Sequence, residues 1–437
     1  MRYLIFILVL FATSCNTDVK LQSGPMVGYS ELTEVQVWVQ SKFNANMSIR
    51  YWKKGSPDSS WTSASIKTTE KEGFTAKFRA ENLDPGTEYE FIVLQNGREV
   101  ELDYNCKFTT QELWHYRKDP EAFRLALGSC VYVNEEEFDR PGKGYGGDYQ
   151  VFESIRSSNP DLMLWLGDNT YYREADAFTW NGLLHRNTHT RSLKEMQPLL
   201  ASTNNYAIWD DHDFGLNDAV GTWIYKDKAK EAFKLFWANP SFGNSELEGI
   251  TSNFYFNDVQ FYLLDNRWFR TPKYDSSRRK MLGKTQMEWL ISELKASKSQ
   301  YKFIAVGGQM LSSAMVYENF SNFPEERNYL LRRLSEENIS GVVFLTGDRH
   351  HSEFSVLELA NGEKVYDFTV SPLTSSVSNV ADKEQNAHRL EGSLIQSRGF
   401  GLIDVSGPFG KRSLNFQLLD SDGQKLWEQS ISPTEDN

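Results

Sequence analysis

Short runs of bulky apolar residues that end in a glycine followed by an aspartate recur in this 437-residue chain. Leu162–Leu166 leads through a glycine to Asp168, and Val342–Leu345 leads, also through a glycine, to Asp348. Such runs predict buried strands, and the glycine lets the chain turn sharply where the strand ends. The chain should therefore fold around strands whose carboxyl ends carry carboxylates.

Two more predicted strands end in comparable residues. Leu125–Leu127 is followed by Cys130, and Ala207–Ile208 is followed by Asp211 and His212. Four strands are thus predicted to bring thiolate, phenolate, carboxylate and imidazole groups to one edge of a sheet, and ligands of open α/β sheets bind at the carboxyl edge. This set can hold more than one metal ion, and a two-metal site is typical of phosphoryl transfer to water.

The composition fits a large globular protein better than a nucleic-acid-binding protein. The chain is 40% hydrophobic and 24% charged, which is enough for a large core and predicts two or three domains. Its net charge of −12, with no basic block to offset it, argues against non-specific binding to nucleic acid. The same charge is compatible with an acidic site that binds cations.

The first residues have the pattern of a targeting segment. Arg2 precedes the apolar run Leu4–Ala12, which is too short to span a bilayer as a stable helix. The run ends in Ala12-Thr13-Ser14-Cys15, which resembles a bacterial lipobox. We predict that residues 1–15 are a lipoprotein signal peptide up to the lipidated Cys15, so that the protein is exported and lipid-anchored in the periplasm or outer membrane. A plain secretory signal is the alternative.

Residues 22–110 predict a β-sandwich. Apolar and polar residues alternate over short segments with turn signals between them, for example in Val35–Val39. Leu83–Tyr89 resembles the corner of a fibronectin type III domain, in which a tyrosine near the start of a late strand bonds back to the backbone. This domain is expected to space or shield the rest of the chain.

Residues 121–437 predict a second domain, in which strands alternate with helices. Five segments have helical periodicity: Tyr149–Ser157, Leu193–Leu200, Lys226–Trp237, Gln286–Ser297 and Glu325–Asn338. Two segments alternate around turn residues and predict hairpins, Thr251–Leu264 and Phe354–Thr369. No disulfide is expected between Cys106 and Cys130, because they fall in different predicted domains and Cys130 stands among the candidate ligands.

The candidate ligands favour an electron-poor metal ion. Asp168 directly follows its strand and is the natural bridge between two ions, with Tyr171 three residues further along the same turn. Tyrosinate and cysteinate suit trivalent iron better than magnesium or calcium. Asp348 and His350 are two residues apart, so both side chains can face the same side of an extended strand end.

Four motifs carry a family resemblance: Gly-Ser-Cys at 128–130, Gly-Asp-x-x-Tyr at 167–171, Trp-Asp-Asp-His-Asp at 209–213 and Gly-Asp-x-His-x-Ser at 347–352. In this order and spacing they resemble the alkaline phosphatase D family of calcineurin-like metallophosphoesterases, which is similar to the purple acid phosphatases. The resemblance implies an α/β fold, with an N-terminal fibronectin III-like β-sandwich followed by a four-layer αββα metallophosphoesterase domain.

The resemblance also implies a set of metal ligands. Iron(III) would be held by Cys130, Asp168, Tyr171, Asp348 and His350. Asp168 would reach a second site, shared with Asp211 and Asn217, which binds calcium in relatives and other divalent ions in some distant ones. Relatives often have an acidic residue after the tyrosine of the first motif. This chain has Tyr172-Arg173 there, which puts a further calcium ion in doubt.

Three residues are candidates for substrate chemistry. His212 follows a predicted ligand and would protonate the leaving oxygen, with Asp213 orienting it; a histidine merely hydrogen-bonded in a polar turn is the alternative. Arg267 either clamps phosphate oxygens or forms an ordinary salt bridge with Asp265. Four further residues are expected to line the entrance of the site: His185, His189, Arg349 and His351. The segment Thr179–Arg191 is expected to be a loop that selects substrates.

Competing classes of enzyme fit less well. A cysteine-dependent phosphatase needs an arginine six positions after the cysteine, where this chain has Glu136 between two other glutamates. A P-loop kinase or NTPase would carry a Gly-x-x-x-x-Gly-Lys-Ser/Thr motif, and this motif does not occur in the sequence. We therefore predict a monomeric, exported, metal-dependent phosphohydrolase that cleaves phosphate mono- or diesters, small or polymeric, with a metal-bound hydroxide. The alternative is a surface-tethered, non-catalytic binding protein with a structural metal site.

Overall fold

A computed structural model describes residues 19–272 and 279–432, so the predicted signal peptide and Cys15 lie outside the described residues. The amino-terminal part is a β-sandwich of short strands. Its strands are β1 (Leu21–Ser30), β2 (Glu34–Ser41), β3 (Asn46–Lys53), β4 (Ser60–Thr62), β5 (Ile66–Lys67), β6 (Thr75–Glu81), β7 (Glu88–Gln95), β8 (Arg98–Glu99) and β9 (Lys107–Thr109). One sheet has the order β1-β2-β6 and the other β4-β3-β7-β8, while β5 pairs with β3 and β9 with β7.

The predicted tyrosine corner is present in this sandwich. The hydroxyl of Tyr89 accepts a hydrogen bond of 2.9 Å from the backbone N–H of Asp84. The Tyr89 ring is buried and stacks on Phe108 of β9 with a centroid separation of 5.3 Å. The corner therefore ties the loop before β7 to the strand and confirms the fibronectin III-like reading of this segment.

The rest of the chain contains twelve strands and seven helices among the described residues. The strands are β10 (Phe123–Gly128), β11 (Leu162–Leu166), β12 (Asn204–Ile208), β13 (Ser252–Phe256), β14 (Val259–Leu263), β15 (Lys302–Val306), β16 (Val342–Thr346), β17 (Glu353–Glu358), β18 (Lys364–Thr369), β19 (Gly399–Ser406), β20 (Ser413–Asp420) and β21 (Lys425–Ile431). The helices are α1 (Val151–Ser157), α2 (Trp180–Arg191), α3 (Gln197–Leu200), α4 (Asp211–Phe214), α5 (Lys226–Phe236), α6 (Lys284–Ala296) and α7 (Pro324–Glu336). Both predicted hairpins form, as β13–β14 and β17–β18.

These strands form two six-stranded sheets, β12-β11-β10-β19-β20-β21 and β13-β14-β15-β16-β18-β17. Side chains alternate between two cores along the second sheet. Phe303 and Val343 face the first sheet, whereas Ile304 and Phe344 face α6 and α7. On the first sheet, Trp165 packs against aromatic residues of the opposite helical layer. The arrangement is therefore the predicted four-layer αββα fold.

The two-sheet arrangement corrects one sequence-based expectation. β10, β11 and β12 are parallel neighbours in the first sheet, whereas β16 lies in the second sheet between β15 and β18. The sequence suggested that the four strand ends share one sheet edge. In the structure they do not. Three come from one sheet and the fourth from the facing sheet, so the candidate ligands converge across the gap between the two layers.

The sandwich is packed directly against the αββα part. The indole N–H of Trp38 donates to the backbone carbonyl of Leu235 at 2.8 Å, and the backbone N–H of Tyr29 donates to the carbonyl of Ala238 at 3.0 Å. The guanidinium carbon of Arg191 in α2 lies 5.8 Å from the centre of the Trp38 ring in β2. The interface is buried and polar groups in it are paired, so the sandwich has a fixed position beside α5.

Replacing Gly28 by alanine tests this interface. A Cβ at Gly28 would overlap the Cβ and carbonyl oxygen of Ala238, and Gly28 does not have a positive φ. We expect Gly28→Ala to lower the free energy of unfolding by about 1–3 kcal/mol, as overpacking does. Chemical denaturation measures the change, with Ser60→Ala on the exposed strand β4 as the control. An unchanged denaturation midpoint for Gly28→Ala would mean that the sandwich does not pack against residue 238.

Three further observations concern the sequence-based expectations. The predicted selector loop is in fact helix α2, capped by the Thr179 side chain, which accepts a hydrogen bond from Gly182 N. Its apolar pattern is weak because several of its buried positions are polar, such as Arg186 and Asn187.

The two described cysteines are free. None of the described helices is long and apolar enough to span a lipid bilayer.

Candidate metal centre

Four of the predicted ligands lie after strand ends at positions where the backbone is left-handed. The φ angles are 62° at Cys130, 52° at Asp168, 69° at Asp348 and 55° at His350. This conformation is uncommon for residues other than glycine and costs about 1–3 kcal/mol per residue when it is imposed. Four such residues in one place indicate that the surrounding structure holds these side chains in a required orientation.

One cluster of donor atoms surrounds the carboxylate of Asp168. Its Oδ2 lies 3.6 Å from Cys130 Sγ and 3.2 Å from the Tyr171 hydroxyl. The Tyr171 hydroxyl is in turn 3.3 Å from His350 Nε2. The structure therefore brings together four of the five residues predicted to hold iron. Ser371 completes the surroundings by donating a hydrogen bond of 3.2 Å to Cys130 Sγ.

A second group of donor atoms is centred on Asp211. Its carboxylate belongs to three sets of possible ligand atoms that lie within 4.8 Å of one another: Asp168, Asp211 and His212; Asp210, Asp211 and Asp348; Asp211, Asp218 and Glu318. The fifth predicted iron ligand, Asp348, thus joins the centre from the second sheet. Asp211 connects all three sets, which is the property expected of a residue beside more than one cation.

Three acidic residues near Asp211 were not predicted as ligands, and the first of them, Asp210, is its neighbour in the sequence. Glu318 comes from the loop after β15, and Asp218 follows the Trp-Asp-Asp-His-Asp motif and donates its N–H to Asp211 Oδ2 at 2.7 Å. The predicted ligand Asn217 is exposed and stays a prediction. Glu318 has no local sequence signal, because it reaches the site only through tertiary folding. Asp218 is only seven residues after Asp211, so its carboxylate could have been considered together with that motif.

Burial controls the protonation of the cluster. It raises the pKa of Cys130 to about 12, and it lifts the pKa values of Asp168, Tyr171 and Asp348 well above their ordinary values. It also lowers the pKa of His350 to about 4. At neutral pH His350 is therefore already neutral and able to bind a metal ion, whereas the thiol, the phenol and the two carboxyl groups become anionic only when a cation offsets the cost of burying their charge.

Unpaired buried atoms support the same interpretation. Asp348 Oδ2, Asp211 Oδ1 and His212 Nδ1 are buried and have no hydrogen-bond partner among the described residues. An unsatisfied buried polar atom costs free energy, so native structures seldom leave several together. Carboxylate, thiolate, phenolate and imidazole donors that converge on a shared space fit metal ions.

The ring of His212 lies against the centre, with its centroid 4.1 Å from that of Tyr171. Its backbone N–H donates to Asp168 Oδ1 at 3.2 Å, and burial lowers its pKa. The imidazole is therefore neutral at neutral pH and can act as a ligand or as a proton carrier. The position of the ring is compatible with both roles.

Asp213 has a different position from the one predicted. Its Oδ2 accepts hydrogen bonds from the backbone N–H groups of Asp210 at 3.0 Å and Asn169 at 3.2 Å. The described contacts of the carboxylate are thus with two backbone turns and not with the ring of His212. Asp213 fixes the end of β12 beside the end of β11, so it positions His212 through the backbone.

Arg267 also differs from both sequence-based interpretations. Its side chain is fully buried and forms ion pairs with Asp210 and Glu318, while only its backbone N–H contacts Asp265, at 2.9 Å. Its guanidinium is therefore neither an open phosphate clamp nor the partner of the Asp265 carboxylate. It lies 3.9 Å from Asp211 Oδ1. Although burial opposes ionisation, the Arg267 guanidinium and, when it is protonated, the His212 ring lower the pKa of Asp211.

The residues expected at the entrance are distributed differently. His351 is fully buried, with Nδ1 3.0 Å from the carbonyl oxygen of Arg349, so it lines no entrance. Arg349 is also buried and pairs with Glu384 at 2.6 Å. His185 is exposed on α2 beside Glu135, and His189 lies next to it with a ring separation of 6.3 Å. The prediction fails for His351 because the turn after β16 directs this side chain into the core.

Comparisons with known proteins agree with this fold. A family model described as PhoD-like phosphatase matches residues 125–404, and a domain of unknown function, DUF7800, matches residues 18–113. Alkaline phosphatase D of Bacillus subtilis (strain 168) is 24% identical over 299 residues, 56% of this chain. The chain spans about half the length of this curated relative, 51%.

Two solved structures share the architecture. A structure of PhoD superposes with a TM-score of 0.76 at 15% identity, covering 95% of this chain and 90% of the other. The purple acid phosphatase PPD1 from yellow lupin (Lupinus luteus) seeds gives a TM-score of 0.66 at 12% identity, covering 94% and 74%. At these identities the likeness concerns the fold. Since the family model covers more than half of the sequence, the chain belongs to the PhoD-like phosphatase family.

Proposed function

We propose that this protein is a metal-dependent phosphoric ester hydrolase that acts on phosphate mono- or diesters. The proposal rests on the convergence of four side chains, in which each donor atom lies within 3.6 Å of a donor atom of the next. The four residues are Cys130, Asp168, Tyr171 and His350. Asp211 and Asp348 adjoin them. Membership of a phosphatase family supports the same reaction class.

The donor chemistry favours two different metal ions. A buried thiolate and a buried phenolate beside Asp168 suit iron(III), whereas the carboxylates around Asp211 suit calcium or another divalent ion with oxygen ligands. Asp168 is the proposed bridge, because it contacts Cys130 and Tyr171 through one oxygen and the backbone of His212 through the other. Metal ions in such a site activate a water molecule and stabilise charge on the phosphoryl oxygens.

The protein groups then have separate tasks. His212 first takes up a proton, in competition with its lowered pKa, and then gives it from the imidazolium form to the leaving oxygen of the ester; its ring is next to the centre and its Nδ1 has no described partner. Arg267 balances the charge of Asp210 and Glu318 beside Asp211. Asp213 holds the turn that carries His212. Ser371 orients the sulfur of Cys130.

An iron(III)–tyrosinate bond has a spectroscopic signature. The purified protein should therefore show a broad visible absorption band, and Tyr171→Phe should abolish it while the circular dichroism spectrum stays unchanged. Tyr172→Phe is the matched control, because this neighbouring phenol is also buried but bonds to Asn187. A colourless, fully active enzyme that contains only zinc or magnesium would refute the iron assignment and leave the hydrolase proposal standing.

Substrate preference is tested with two chromogenic esters. Mono- and bis-(nitrophenyl) phosphate have the same leaving group, so the ratio of their kcat/KM values reports how the site treats the second ester substituent. A site for diesters should prefer the bis-ester, and a site for monoesters should reject it. Failure to hydrolyse either ester with metal bound would count against the proposed function.

We also propose that the protein is exported and held at a membrane by a lipid on Cys15, as a monomer whose single chain supplies all the proposed ligands. The sequence Ala12-Thr13-Ser14-Cys15 supports lipidation. Cys15→Ser should release the protein from the membrane fraction into the soluble fraction, measured by fractionation of expressing bacteria. A wild-type protein that is unmodified at Cys15 and already soluble would contradict the anchor.

A further inference from the structure

A cleft of about 440 Å³ lies between two loops that follow strands of the second sheet. One wall is the segment 313–317 after β15, and the other is formed by residues 380 and 383–385 after β18. Ser313 joins the walls, because its hydroxyl donates to the carbonyl of Gln385 and accepts from the N–H of Ala387. The cleft is therefore a built feature of the fold.

The first wall exposes apolar side chains although its backbone is firmly held. Met315 and Tyr317 are 63% and 59% exposed, respectively. Asn319 and Ser321 donate side-chain hydrogen bonds to the carbonyl of Ala314 at 3.0 and 2.7 Å. Large apolar side chains on a loop that is fixed in this way are presented to solvent in one arrangement, which is the arrangement expected of a binding surface.

The conformation of Tyr317 is itself unusual. Its φ is 45°, in the region that non-glycine residues seldom adopt. Asn322 stabilises this turn by donating to the carbonyl oxygens of Val316 at 3.2 Å and Tyr317 at 3.0 Å. The surrounding structure therefore maintains an unfavourable backbone conformation that leaves an aromatic ring exposed.

Arg349 connects the cleft to the metal centre. It stands between the proposed ligands Asp348 and His350, and its guanidinium carbon lies 4.5 Å from the centre of the Tyr317 ring. The same guanidinium pairs with Glu384 of the opposite wall at 2.6 Å, and its Nε is buried without a described partner. One residue thus contacts both walls of the cleft and adjoins the proposed ligands.

We propose that this cleft binds the organic part of the phosphate ester and selects a flat aromatic or apolar group there. The inference rests on the proposed hydrolase function, because it assigns a subsite to that reaction. Tyr317 supplies an exposed ring whose other face is occupied by Arg349, and Met315 supplies a flexible thioether beside it. Tyr317 and Met315 are therefore specificity residues for the ester substituent.

Two inhibitors that cannot be hydrolysed separate this subsite from the chemistry. Methylphosphonate and benzylphosphonate have the same phosphonate group, so the ratio of their inhibition constants measures the contribution of the ring. We expect the wild-type protein to bind benzylphosphonate about ten-fold more tightly than methylphosphonate, because the ring is removed from water. Tyr317→Ala should bring the ratio close to one, and Tyr317→Phe should retain it.

Met315→Ala repeats the test at a mostly exposed side chain, so it does not depend on the folding of Tyr317→Ala. Phe178→Ala is the matched control, since Phe178 is a 46% exposed aromatic residue that packs near Trp223, away from the cleft. A ratio that depends on Phe178 and not on Tyr317 or Met315 would overturn the proposal, as would equal inhibition of the wild type by both compounds. If neither compound inhibits and no ester is hydrolysed, the proposed function itself fails.

Discussion

Asp168→Asn should lose bound metal and hydrolytic activity together, for every phosphate ester tested. Both oxygens of this carboxylate are in use, Oδ2 towards Cys130 and Tyr171 and Oδ1 towards the backbone of His212. Asparagine keeps the shape but removes the charge and one of the two acceptor oxygens. Losing the metal contribution of several kcal/mol should lower turnover roughly a thousand-fold or more.

Metal content by elemental analysis and kcat/KM for esters with different leaving groups measure this effect. Asp258→Asn is the control, because Asp258 is a buried carboxylate that pairs with Arg412 at the β13–β14 turn. It should retain both metal and activity. An Asp168→Asn protein that keeps both metal ions and wild-type turnover would show that Asp168 is not the bridge.

His212→Asn should separate metal binding from proton transfer. If His212 protonates the leaving oxygen, metal content should stay near the wild-type level. Turnover of esters with poor leaving groups should fall by roughly a hundred- to ten-thousand-fold, the usual contribution of a general acid. Nitrophenyl esters should be affected much less, because their leaving group needs little protonation.

The structure makes this experiment decisive, since His212 is also within reach of Asp168 and Asp211 as a possible ligand. Depleted metal in His212→Asn would make it a ligand, and an equal loss for good and poor leaving groups would make it a phosphate-binding residue. His185→Asn is the control, because His185 is an exposed histidine on α2 paired with Glu135. It should change neither metal content nor the dependence on the leaving group.

The strand ends of the site were predictable because their signals are local. Apolar runs such as Leu162–Leu166 identify buried strands, and the polar residue after each run must lie at the strand end. Tyr89 and the turns of the two hairpins were readable for the same reason. Each of these features is determined within about ten residues of sequence.

The remaining features depend on contacts between distant segments. The assignment of β16 to a second sheet is a matter of pairing between strands, which no local pattern specifies. Arg267 pairs with Glu318 and Asp210, which are 51 and 57 residues away in the sequence. Its burial in an ion-pair network could therefore not be predicted from the residues next to it in the sequence. Helix α2 was not predicted because Arg186, Asn187 and Thr190 occupy buried positions. An amphipathic helix normally has apolar residues at such positions.

The most direct test of the metal-dependent hydrolase proposal is nitrophenyl phosphate hydrolysis before metal removal, after it, and after metal is restored. The ligands in the buried centre carry strongly shifted pKa values, so removing the cations should leave these groups protonated and the water without activation. The account predicts that the metal-free protein is folded and inactive, and that iron together with a divalent ion restores turnover. Full activity in protein shown to contain no metal would contradict it, and so would a folded, metal-loaded protein that hydrolyses no phosphate ester.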